Sequence, residues 1–218
     1  MDLISMDARL LHPFTLICSG PTGSGKTQFV KRMILEGESV IDKPPDRILW
    51  LYGEYQDAYD ELKTSIPNIR FVEGFPPDLN ALVDPSVNNL VVVDDLMLEC
   101  SKDSRLTSAF TKGSHHRNMS VIFIVQNLFL DSKQFRTISL NTHYMVLFKN
   151  ARDKSQVMHL AKQVFPGQAK FVQESYADAT RHPYGYLLLD LRNTTPEHLR
   201  LRTDIFQGLK QTVYVPRV

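Results

Sequence analysis

Cysteine is scarce in this chain: Cys18 and Cys100 are the only two among 218 residues. One sits in an apolar run and the other follows acidic residues, so neither a disulfide framework nor a Cys metal set is available. That usage fits a reducing compartment. Long hydrophobic runs are missing too. The longest, such as 121–125, falls far short of the ~20 apolar residues that a membrane span needs. Residues 1–12 carry two Asp and no apolar centre, which excludes a secretory signal. Neither sign of charge dominates: 25 Lys and Arg against 24 Asp and Glu leave a net charge of +1. No overall basic field therefore attracts nucleic acid, and any such contact has to be local. These absences together predict a soluble intracellular protein that needs no membrane.

What is present is ordinary for a globular domain, with 43% hydrophobic and 22% charged residues. The length suits one well-buried α/β domain and would crowd two. Short apolar runs recur at 14–18, 48–52, 69–72, 90–93, 121–125, 144–148 and 184–189. Several are continuous Val/Ile/Leu stretches, the pattern of strands buried on both faces of a parallel sheet. Helical patterns fall between them at 26–35, 55–64, 104–115, 154–164 and 169–179. Alternating strands and helices predict a layered α/β fold with right-handed crossovers. Residues 192–218 form a charged tail whose Val213-Tyr214-Val215 reads as either a short strand or an arm.

The chemistry is concentrated in three places. Gly20-Pro21-Thr22-Gly23-Ser24-Gly25-Lys26-Thr27 matches G-x-x-x-x-G-K-[ST] without a gap, between an apolar strand and a helical pattern that opens with Gln28. The glycines allow successive backbone N–H groups to turn inward on a phosphate chain, and the helix start adds its positive dipole end. Lys26 can reach the β- and γ-phosphates of a nucleoside triphosphate, and the Thr27 hydroxyl can ligate Mg²⁺. The second place is Leu90-Val91-Val92-Val93-Asp94-Asp95, an apolar strand ending in two carboxylates. It is expected beside the P-loop strand, opening at the same crevice. Asp94 is then the magnesium-holding acid and Asp95 the base that activates water. The third is the strand 120–125, which ends in Gln126. A Gln there can hydrogen-bond the γ-phosphate or the attacking water.

This order, with His115-His116-Arg117-Asn118 leading into the Gln126 strand, resembles the FtsK/HerA superfamily of DNA-pumping ATPases. Within it the chain looks most like the viral genome-packaging branch of poxviruses, other large DNA viruses, virophages and Polinton/Maverick-type elements. Val146 to Lys154 and Gln163-Val164-Phe165-Pro166 add to the likeness, which spans roughly residues 13–191. Many relatives carry Asp-Glu where this chain has Asp94-Asp95. The resemblance implies a P-loop NTPase of the additional-strand (RecA/FtsK-like) type, with a mainly parallel sheet flanked by helices on both faces. It divides the chain into an N-terminal extension (1–12), an ATPase domain (13–191) and a C-terminal tail (192–218). It also implies an ATPase that translocates double-stranded DNA without sequence specificity into a capsid. Such motors are homo-oligomeric rings, with each nucleotide site at a subunit boundary and an arginine finger from the neighbour. Arg117 is the first candidate for that finger, followed by Arg105 and Arg152. Such a protein works in the host nucleus or a cytoplasmic virus factory and can accompany the virion, where capsid proteins are partners.

DNA contact requires local basic residues. Lys102, Arg105, Lys112, His115, His116 and Arg117 form one group, and Lys133 and Arg136 another. Two other classes share the P-loop. A nucleotide or small-molecule kinase predicts an Arg-rich lid, which the sequence lacks, and has no use for Asp95 and Gln126. A non-hydrolysing nucleotide-gated ring or scaffold subunit predicts degenerate site residues, whereas these are intact.

Overall fold

The computed structural model describes residues 8–96, 117–128, 133–153 and 155–216, with the side chains of 133–136 left aside. In chain order the strands are β1 (Thr15–Ser19), β2 (Arg47–Tyr52), β3 (Ile69–Glu73), β4 (Asn89–Asp94), β5 (Met119–Val125), β6 (Tyr144–Phe148), β7 (Tyr186–Asp190), β8 (Leu201–Thr203) and β9 (Thr212–Tyr214). The main helices are α1 (Lys26–Leu35), α2 (Ala58–Ser65), α3 (Lys133–Leu140), α4 (Ser155–Val164) and α5 (Ala169–Ala179). Among the described residues, all nine strands share one sheet in the order β3-β2-β4-β5-β1-β6-β7-β8-β9. The first six are parallel, and β7, β8 and β9 join antiparallel at one side.

The continuous apolar runs explain this architecture. In β1, β4 and β5 alternate residues point to opposite faces, and both faces are buried. Ile17, Val91, Val93, Val121 and Phe123 pack on one side with Val157, Leu160 and Val172 of α4 and α5. Leu16, Cys18, Leu90, Val92, Ile122 and Ile124 pack on the other with Phe29, Val30 and Met33 of α1 and Tyr59 and Leu62 of α2. A strand with no polar side must be covered twice, and the crossover helices do so.

Three expectations are revised or resolved. The P-loop strand and the Asp94 strand are not neighbours, because β5 lies between them and pairs with both. A run of apolar residues shows that a strand is interior without showing which strand it pairs with. Tyr184 is not in a strand either: the Gly185 N–H donates to the His182 carbonyl at 3.1 Å, closing a turn before β7 begins at Tyr186. The tail is resolved as strand, since Thr212–Tyr214 pairs with β8. Its attachment is polar. Asp190 accepts hydrogen bonds from Arg192 at 2.9 Å and from fully buried Arg202 at 3.4 Å. Arg202 also donates to the Ala8 carbonyl, tying the start of the described chain to β8. The helix expected at 104–115, with Cys100, Lys102, Arg105, Lys112, His115 and His116, lies outside the described residues. Among the described residues, no helix is long and apolar enough to cross a membrane.

Candidate nucleotide site

Register brings the chemistry to one edge of the sheet. Ser19 lies beside Val125 and Asp94 beside Ile124. Gly20, Asp95 and Gln126 therefore leave the sheet together, at the carboxyl ends of three adjacent parallel strands. The loop from Gly20 to Gly25 then turns into α1, whose first three residues are Lys26, Thr27 and Gln28. Gly23 and Gly25 hold φ of 76° and 102°, left-handed values that cost a side chain dearly. At Gly20 the constraint is contact, since a Cβ would stand 2.7 Å from both the Phe148 Cβ and the Ser24 Oγ. Two polar groups in the loop look for an anion. Ser24 Oγ is buried without a partner. The Lys26 ammonium donates to the loop's own carbonyls, Gly20 O at 2.6 Å and Pro21 O at 3.0 Å. Burial lowers the Lys26 pKa, against the pull of Asp94 and Asp95.

The acidic pair divides in environment. Asp94 is 3% exposed, and burial lifts its carboxyl pKa to about 6. The Tyr59 hydroxyl, from α2, donates to Asp94 Oδ2 at 2.9 Å and works against that rise. The Trp50 indole N–H also biases the carboxylate but stays outside hydrogen-bonding geometry. With one oxygen held by Tyr59, the other is left for a cation. Asp95 is exposed, with φ of 54°, and its Oδ1 accepts from Gln126 Nε2 at 3.2 Å. Thus P-loop, Asp94, Asp95 and Gln126 gather at one edge of the sheet, across β5 and not on neighbouring strands, with Asp95 joined directly to Gln126.

The arginine candidates separate. Arg117 precedes β5 and so lies at the opposite edge of the sheet from the P-loop, a strand length of about 20 Å away. It cannot reach the P-loop of this chain. Arg152 follows β6 at the P-loop edge and is exposed. Arg105 lies outside the described residues.

No protein-family model and no curated protein sequence matches the chain. Solved structures do. B204, the DNA-packaging ATPase of Sulfolobus turreted icosahedral virus, superposes with a TM-score of 0.59 at 10% identity, covering 95% of this chain and 99% of that one. The genome-packaging NTPase B204 of Sulfolobus turreted icosahedral virus 2, in complex with AMPPCP, gives 0.56 at 13% identity over 97% and 100%. Its complex with sulfate gives 0.58 at 12% over 95% and 98%. The chain has the fold of these packaging ATPases.

Sequence reasoning missed Tyr59, Phe148 and Tyr184. Tyr59 touches Asp94 from 35 residues away in the chain. Phe148 and Tyr184 close on Gly20 and Gly25 from later strands and turns. For Tyr184 a signal existed, since Pro183-Tyr184-Gly185 is turn composition.

Proposed function

We propose that the chain hydrolyses ATP and uses that reaction to drive double-stranded DNA into a capsid. The observation that carries this reading is the contact between Asp95 and Gln126 at the mouth of the P-loop, 3.2 Å apart. A site that only binds nucleotide, or passes a phosphoryl group to an acceptor, gains nothing from an exposed carboxylate paired with a strand-end amide. A site that activates water does.

The residues divide the work. Lys26 exchanges the Gly20 and Pro21 carbonyls for the β- and γ-phosphates, and the unpartnered Ser24 hydroxyl donates to a phosphate oxygen. Gln126 orients a water, and Asp95 takes its proton as the oxygen attacks the γ-phosphorus. The bond to the β,γ-bridging oxygen breaks, and ADP leaves with that electron pair. Mg²⁺ fits the donors present: the Thr27 hydroxyl and the free oxygen of Asp94 would hold it. When bound, it neutralises charge on the β- and γ-oxygens.

Arg117, at the far edge of the sheet, serves a neighbouring subunit's nucleotide, which makes the active form a homo-oligomeric ring. An arginine so placed is worth roughly 10³–10⁵ in rate. Double-stranded DNA lies along local basic groups such as Lys133 and Arg136, without sequence readout, and the capsid shell is the remaining partner. The protein acts where the viral genome is replicated and packaged. The test is product analysis with labelled ATP and duplex DNA. Free phosphate that disappears in Lys26→Ala supports the reading. Label transferred to a nucleoside acceptor, or tight binding with no turnover, overturns it in favour of a kinase or a scaffold subunit.

A further inference from the structure

A cleft of about 490 Å³ opens beside the P-loop and continues it, sharing Gly25 as a wall. Its other walls come from α1 (Arg32), the turn between α5 and β7 (Arg181 and Tyr184) and the tail (Phe206 and Tyr214). Its floor is aromatic. Phe29 meets Tyr186 at 4.8 Å and Phe206 at 5.1 Å between ring centroids, both edge to face. The Arg32 guanidinium stacks over Phe206 at 4.6 Å.

Tyr184 gives the cleft its meaning. The His182–Gly185 turn is closed by the Gly185 N–H, with Pro183 and Tyr184 at its centre and Tyr184 at φ 62°. That is the type II pattern, and its third position normally takes glycine because a side chain there is strained. Here the position holds a tyrosine that is 72% exposed. The ring earns no core packing in return for its strained backbone. It does stand against the P-loop: a Cβ on Gly25 would lie 3.1 Å from the Tyr184 Cδ1. Strain maintained to present an exposed ring at the lip of an anion site marks a binding function.

We propose that this cleft holds the nucleoside of the triphosphate, with a purine base stacked on Tyr184. The inference rests on the ATPase reading above, because the triphosphate must lie in the P-loop for its nucleoside to enter. Volume and lining suit the ligand: an apolar, aromatic recess with a polar rim is the usual form of a small-molecule site of this size. Stacking on an aromatic face requires only the base's π-surface. It follows that the tail, through Phe206 and Tyr214, is part of the nucleotide site.

The experiment is calorimetric titration of the full chain with ATP and, separately, with inorganic tripolyphosphate, which has no base. Three proteins are compared: wild type, Tyr184→Gly and Tyr184→Phe. Glycine suits the left-handed position, so Tyr184→Gly melts no lower than wild type and its binding loss is not misfolding. Tyr184→Gly is expected to bind ATP roughly 10- to 100-fold more weakly, with tripolyphosphate changed by no more than about twofold. Tyr184→Phe keeps the ring and the ATP affinity. The proposal is overturned if Tyr184→Gly binds ATP as wild type does, or loses tripolyphosphate to the same degree. Wild-type protein that binds neither ligand overturns the ATPase reading itself, and the subsite with it.

Discussion

Replacing Asp94 with asparagine should stabilise the nucleotide-free protein while disabling its chemistry. Burial lifts the Asp94 carboxyl from its ordinary 3.8 to about 6, with Tyr59 opposing the shift. Between those two values the folded chain holds a proton that the unfolded chain has released. Stability from this group is thus complete below about pH 4 and falls as the pH rises through 6. At about 1.4 kcal/mol per pH unit, the ionised carboxylate costs the empty fold on the order of 3 kcal/mol at pH 7.5. Asparagine removes that cost and still accepts from the Tyr59 hydroxyl. For a domain of this size the gain corresponds to about 6–12 °C in melting temperature. The assay is thermal unfolding of wild type and Asp94→Asn, without nucleotide or Mg²⁺, at pH 7.5 and pH 4. The variant should melt higher at pH 7.5, and the gap should close at pH 4. A variant that melts lower at pH 7.5, or a gap independent of pH, refutes the assignment of Asp94 as a carboxylate held at a cost for its ligand.

Gly20→Ala forces a Cβ to within 2.7 Å of the Phe148 Cβ and the Ser24 Oγ. The β6 contact is backbone-anchored and cannot yield, so a loss of about 1–3 kcal/mol is expected in urea unfolding, together with weaker ATP binding. Asp190→Ala strands the fully buried Arg202 and the partly buried Arg192 without their shared carboxylate. It should cost about 3–5 kcal/mol, read as a lower urea midpoint. A shift below 1 kcal/mol would mean that these arginines find water.

The legible parts of this protein are those whose physics is local. The P-loop is consecutive residues between a strand and a helix, so its conformation and chemistry can be read in one pass. Asp94-Asp95 and Gln126 are each found at a strand end. That they meet follows only from register, which sets Ser19 beside Val125 and Asp94 beside Ile124. Strand order was not legible. β1 and β4 have equally apolar sequences, and the insertion of β5 between them depends on tertiary packing. β8 escaped notice because its central residue is Arg202, a charge that enters the sheet only because Asp190 is there to meet it. Tyr59 was invisible as a site residue because it acts on a group far away in the chain, and the turn composition around Tyr184 marks a turn without showing that it meets the P-loop.

The central claim is that the paired Asp95 and Gln126 make this P-loop a hydrolytic site. The most direct measurement is single-turnover phosphate release from ATP, in the presence of duplex DNA, by wild type and by Asp95→Asn. The account predicts that the variant binds ATP as tightly as wild type but releases phosphate at least ~100-fold more slowly. Equal rates in the two proteins, or no release from wild type, would contradict it.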